Sequence, residues 1–123
     1  MVDIELTASH RYIEAQQAVL GSMFIDPRCI STVMSRVSAQ DFTFESYRTI
    51  FSAIRGLWLE KEVVDPVTIV DRLEPKAAAE LSGIIRELME VTPTAANVGK
   101  YIEILLDDST LHQIRETGLQ LRD

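Results

Sequence analysis

The chain has 123 residues and is poor in the residues that build special sites. It holds a single cysteine, Cys29, so neither an internal disulfide nor a zinc cage can form within it, and a reduced, cytoplasmic setting is expected. Its two histidines, His10 and His112, lie about a hundred positions apart, far outside any HExxH-like metal spacing. The five glycines are scattered and form neither GxxxxGK[ST] nor GxGxxG, which excludes the usual phosphate-cradling loops. Basic charge is also scarce. Twelve Lys and Arg face nineteen Asp and Glu, and Arg28, Arg36, Arg48, Arg55, Arg72 and Arg86 are dispersed among the acids. Without a basic stripe, gripping nucleic acid is not the chain's main task, and no direct nucleic-acid contact is expected. No apolar run approaches the roughly 20 residues of a membrane helix, and the acidic opening MVDIELTASHRY, which lacks an apolar core, is not expected to act as a signal peptide.

What is present is a globular composition, 46% apolar and 25% charged, with apolar residues at helical spacing. The first segment carries Tyr12, Ile13, Val19, Leu20, Met23 and Phe24, and His10 is expected just before it as a solvated residue. The second has Ile30, Val33, Met34 and Val37, with Cys29 beside them as a small packing residue. The third and richest runs Tyr47, Ile50, Phe51, Ile54, Leu57 and Trp58. A short fourth offers Ile69, Val70 and Leu73. The fifth, preceded by Ala77, Ala78 and Ala79, offers Leu81, Ile84, Ile85 and Leu88. A sixth, starting near Thr94, offers Val98, Tyr101, Ile102 and Leu105.

All four prolines, in Asp26-Pro27, Asp65-Pro66, Glu74-Pro75 and Thr92-Pro93, mark helix starts, with Asp26 and Asp65 as N-caps. Thr94 is read as a further N-cap with Asn97 reaching back to it. Gly21 and Gly56 sit inside strongly periodic helices, where glycine is justified if another helix approaches closely. Val63-Val64 is too short for a strand, and there is no Asn-Gly or Asp-Gly hairpin signal. The expected fold is an all-α, compact bundle of about six helices.

Chemistry-bearing constellations are missing. Glu60-Lys61-Glu62 and Asp107-Asp108 read as solvated ends or turns, and no ExxH pairing suggests a carboxylate-bridged metal. No catalytic, cofactor or metal residue is expected. The last thirty residues stand apart. The stripe ending at Leu105 gives way near residues 107–110 to a new one, Leu111, Ile114, Gly118 and Leu121. Either one long helix leaves the body and offers the second stripe elsewhere, or it bends and packs on its own domain.

Five blocks carry a family resemblance. Residues 13–22, IEAQQAVLGS, resemble the IEAEQAVLGS opening of replicative DNA helicases of the DnaB family, and Asp26-Pro27 matches the break that follows. Asp41-Phe42 with YRTIFSAI from Tyr47 is similar to DFY…HRLIFEAI. DPVTIV from Asp65 resembles D-[LP]-VT-[LI]-x, and TPTAANV from Thr92, with Tyr101 after it, resembles TP-[ST]-AANI…Y. The blocks keep family order and spacing over about residues 10–106.

The resemblance implies an N-terminal collar domain, with residues 1–9 a tail, 10–106 the helical body and 107–123 the end of a long helix that begins a helical hairpin and linker. Such domains pair into dimers within a hexameric ring, dock the C-terminal domain of primase and adjoin a helicase loader. In the family ATP and Mg belong to a motor domain that follows this one and whose motifs are not among these 123 residues, so the resemblance implies that this chain by itself is not an enzyme. Leu111, Ile114 and Leu121 are the expected oligomer seam, where three such side chains contribute roughly 1.5–3 kcal/mol each on burial. Glu14, Ile84 and Leu121 are the expected primase-docking residues.

Two positions depart from the pattern: Gln16 replaces a family glutamate expected on the outer side of the first helix, and Ser82-Gly83-Ile84-Ile85 stands where the family has a GG…YL loop before the fifth helix. The alternative is a stand-alone adaptor or the helicase-binding domain of a primase-like protein, which is similar in fold; the opening block and TPTAAN favour the helicase side.

Overall fold

The computed structural model describes the backbone of residues 2–107 and the side chains from Arg11 onward. Leu111, His112, Ile114, Gly118 and Leu121, and with them the whole expected seam, lie outside the described residues. Within them the chain is all-helical. α1 spans Val2–Ile25, α2 Ile30–Arg36, α3 Glu45–Leu59, α4 Pro66–Arg72 and α5 Pro75–Glu90, and α6 is helical over 98–107. Short 3-10 turns at Pro27–Cys29 and Ala39–Asp41 join α1 to α2 and α2 to α3.

α1, α3 and α5 pack on one another, and α4 lies against both α3 and α5. Their apolar rows meet in one core. Val19, Leu20 and Met23 of α1 enter it, as do Ile50, Phe51 and Ile54 of α3 and Ile85 and Leu88 of α5. Ile102 and Leu105 close it from α6. In α3 the buried residues fall at Tyr47, Ile50, Phe51, Ile54 and Leu57, a three- and four-residue spacing that aims one stripe inward. The Phe42 ring, buried just before α3, meets Phe51 with centroids 5.2 Å apart.

The boundaries follow local chemistry. Asp65 caps α4 reciprocally: Thr68 N donates to Asp65 Oδ1 at 2.8 Å, and Asp65 N donates to Thr68 Oγ1 at 2.9 Å. Pro66 then takes the first helical position, where its missing N–H costs nothing. Asp26 is also a cap as expected, accepting from Arg28 N at 3.1 Å, although it opens a 3-10 turn ahead of α2. α3 stops in a Schellman arrangement. Glu62 N donates to Leu57 O at 2.9 Å and Lys61 N to Trp58 O at 3.1 Å, with Lys61 in the left-handed region at φ 60°.

Several expectations are corrected. α1 begins at Val2, so residues 2–9 are helical and His10 lies within the helix. Neither proline nor glycine interrupts that stretch, and Asp3 and Glu5 suit a helix N-terminus. α5 begins at Pro75, placing the alanine run and residues 82–85 inside it, where no loop stands. α6 begins after Thr94: the Thr94 hydroxyl accepts from Ala96 N at 3.1 Å and closes a short turn, and Asn97 O accepts the first helical bonds from Lys100 and Tyr101. Trp58 is 37% exposed and does not fill the core, because its position falls one step past the buried Leu57 at the edge of the stripe.

Candidate interaction surface

The crossing of α1 and α5 shows what the two glycines inside helices do. A Cβ at Gly21 would meet the hydroxyl of Thr92, the carbonyl of Leu88 at 2.5 Å and the Cβ of Thr92 at 2.7 Å, so only glycine allows this approach. At Gly56 a Cβ would meet only the Arg72 side chain, at 3.4 Å or more, an ordinary contact. The close approach considered for both positions holds for Gly21 alone. It has a polar consequence. Among the described residues the buried hydroxyls of Ser22 and Thr92 have no hydrogen-bond partner, an arrangement compatible with helices pressed together at a small-residue contact.

α1 is fastened to the start of α3 by its two glutamines. Gln16 is 1% exposed and faces inward; it is not on the outer side of the helix. Its Nε2 donates to Thr43 Oγ1 at 2.8 Å, and Thr43 N donates to its Oε1 at 2.9 Å. Gln17 Nε2 donates to Tyr47 OH at 3.0 Å. From the other side, Arg48 donates to the carbonyls of Phe42 at 3.0 Å and Thr43 at 3.2 Å. Gln16 shares the inward row of Leu20 and Met23, which explains why a polar residue there must find a partner.

Of the expected docking residues, Glu14 is exposed on α1, and Ile84 is half-buried on α5, packed against the core. The structure therefore places these two on helices that pack together, while Leu121 lies outside the described residues. Cys29 is half-buried against the core, and burial, with the nearby Asp26 carboxylate, pushes its thiol above the ordinary value, as suits a packing residue. Among the described residues no group of three or more His, Cys, Asp or Glu could hold a metal ion, and no helix is long and apolar enough to cross a membrane.

A feature outside the sequence expectations is an open groove of about 540 Å3 between α4 and α5. Pro66, Val67, Val70 and Asp71 form one wall, and Ser82, Ile85, Arg86 and Met89 the other. Val67 is 76% exposed. Only part of this is visible in the sequence: Val67 is apolar but falls outside the inward stripe of α4, whereas Met89 continues the inward row of Leu81 and Ile85 and is half-buried against the core. Such a surface can receive an apolar side chain or helix ridge, and its two opposite charges can orient it.

The fold defines the class: an all-helical domain built on one shared core, with an open groove between α4 and α5. The family profile for the DnaB-like helicase N terminal domain matches residues 8–107, and the chain belongs to that family. It is 33% identical over 112 residues to the replicative DNA helicase DnaB of Geobacillus stearothermophilus, and 29% identical over 112 residues to that of Mycobacterium leprae. Each comparison covers 89% of this chain but only 25% and 18% of the relative, so the chain spans about a quarter or less of their length. The fold is similar to the crystal structure of the N-terminal domain of DnaB helicase from Mycobacterium tuberculosis, with TM-score 0.80 and 28% identity over 87% of this chain and 76% of that one. It is also similar in fold to the N-terminal domain of DnaB helicase from Helicobacter pylori, for which interactions with primase are described; there the TM-score is 0.81, with 17% identity over 95% and 94% of the two chains.

Proposed function

We propose that this domain is the non-catalytic collar module of a replicative DNA helicase, assembling with copies of itself and docking the C-terminal domain of primase in the cytoplasm. ATP and Mg are then used by a motor domain elsewhere in the longer protein, and a helicase loader is a further partner. The observation that carries the reading is the family match over residues 8–107, which spans the entire described helical body from Arg11 onward. The primase interactions described for the Helicobacter pylori domain support the docking role. The acid excess and the dispersed arginines suit a surface that meets proteins and leaves DNA to other parts of the assembly.

Glu14, Ile84 and Leu121 are the residues proposed for primase. Calorimetric titration with the cognate primase C-terminal domain tests this, using both the isolated chain and the intact collar. Binding is expected, and Glu14→Ala or Leu121→Ala should weaken it by about fivefold or more, the loss expected of a contact worth over 1 kcal/mol. Ile84→Val trims one methyl group and spares most of its packing, so a weaker complex at unchanged melting temperature identifies a contact beyond folding. No binding by the intact collar sinks the docking role.

A further inference from the structure

Arg72 does more than end α4. That helix has only seven residues and one fully buried side chain, Ile69, so neither its length nor its core contact holds it firmly. Two polar devices fasten it. At its start the reciprocal Asp65–Thr68 box caps it locally. At its end Arg72 reaches across to α3. There Nε, Cζ and Nη2 lie 3.4, 3.5 and 3.6 Å from the place a Gly56 Cβ would take, near-equal distances that require the guanidinium plane to lie face-on against the glycine. Nη2 also pairs with the carboxylate of Glu60, one helical turn further along α3. Gly56 is thus a bed for a flat cation, and Glu60 holds the cation on it.

We infer that this Gly56–Arg72–Glu60 strap is a salt-sensitive latch that sets the α4 wall of the α4–α5 groove. Arg72 adjoins Asp71, and Val70 and Asp71 both line that wall, while Arg72 itself turns to α3 and is not part of the lining. Only Leu73 and Glu74 separate α4 from Pro75, the first residue of α5. So short a link cannot absorb a shift of α4, and the shift becomes a change in the angle between the two helices and in the width of the groove. Arg72 and Glu60 are both exposed, so salt screens their attraction directly. The buried rows of α3 and α5 feel no such screening. One exposed pair adds little to the stability of the whole body. It weighs more on α4, because a two-turn helix with one buried side chain has few other contacts to fix its pose. Arg72 is therefore a positioning residue that acts on the groove through α4.

Amide hydrogen exchange of the whole chain, read residue by residue, tests the latch. Glu60→Gln should speed exchange at Val70, Asp71, Arg72 and Leu73 by about two- to fivefold, the loss expected of one exposed pair, and leave Ile50 and Ile54 of α3 unchanged. Raising NaCl from about 20 to 500 mM should produce the same local change in the wild type and none in Glu60→Gln. Arg72→Lys keeps the charge but cannot lie flat on Gly56, so it should exchange as Glu60→Gln does. On the opposite wall, the Met89 methyl resonance should move with salt in the wild type and stay fixed in Glu60→Gln. Exchange in α4 that is unaltered in Glu60→Gln, or that rises equally throughout the body, overturns the latch. So does a salt response of the same size in both proteins. An α4 that responds while Met89 does not would show that the strap holds the helix without shaping the groove, and that also overturns the inference.

Discussion

At Gly21 a single missing methyl group sets the distance between two helices. Gly21→Ala should gain helix propensity of roughly 1 kcal/mol yet lose more, because the new Cβ would collide with Leu88 O and the Thr92 side chain and force α1 from α5. A net loss of about 1–2 kcal/mol is expected, read as a lower midpoint in urea. Gly83→Ala is the matched control: a Cβ there meets nothing within 4 Å, so the same substitution should stabilise by up to about 1 kcal/mol. Gln16 gives the second residue-scale prediction. Gln16→Ala leaves Thr43 N–H without its acceptor in a part-buried site, at a cost of about 1–3 kcal/mol. Gln16→Glu restores the family residue but buries a charge, so its stability should rise as pH falls through the range in which that carboxyl takes up a proton. A variant insensitive to pH would show that the Thr43 hydroxyl and amide satisfy the charged form. The periodicity of α1 located this row, but whether position 16 faced the core or the polar edge depended on what lay opposite.

Helix ends are the elements in which local sequence had most control. Asp65-Pro66 and Asp26-Pro27 were legible because a short carboxylate before a proline satisfies orphan N–H groups without help from distant residues. Asp65→Ala should cost about 1 kcal/mol and be seen as faster amide exchange in the first turn of α4. Asp26 behaves differently with pH. Hydrogen bonds from the Arg28 side chain and backbone hold its carboxyl below the ordinary Asp value. Its folded value is depressed, so its contribution is present above the unfolded value and is lost as pH falls through the folded one. The site is on the surface and the effect is small, so the check is comparative: Asp26→Asn should flatten the acid limb of the melting curve slightly, more so at low salt. Thr92-Pro93, by contrast, does not open a helix. Proline there permits an extended link as well, and the Thr94 hydroxyl closes a turn that delays α6 to residue 98.

For the whole molecule, the expected behaviour is a stable helical body whose assembly is set by surfaces. Leu111→Asp together with Ile114→Asp should reduce the apparent mass in light scattering at high concentration while leaving the melting temperature of the body nearly unchanged. A monomeric wild-type chain at high concentration would remove the seam, and a fall in melting temperature would place those residues in the body's own packing. The groove between α4 and α5 was not legible beforehand because it belongs to two helices at once. Val67 registers as a stray apolar residue, and Met89 as a core residue only, until α4 is laid against α5. Ile84 shows the same limit from the other side: its spacing with Leu81 and Leu88 marked an inward stripe, but only the packed bundle leaves it half-buried and available for a further contact.

The helical periods and proline-marked boundaries, with the composition, determined by themselves an all-helical domain, because composition and local spacing act within a few residues of chain. The order and spacing of the five motif blocks determined the family that the profile match over residues 8–107 then showed. Tertiary structure decided which glycine marks a helix crossing, which glutamine faces inward, which aromatic stays at the edge and where a groove opens. Those properties depend on residues 27 to 71 positions apart in sequence, such as Gln16 with Thr43 and Gly21 with Thr92, and no local pattern contains the opposite wall.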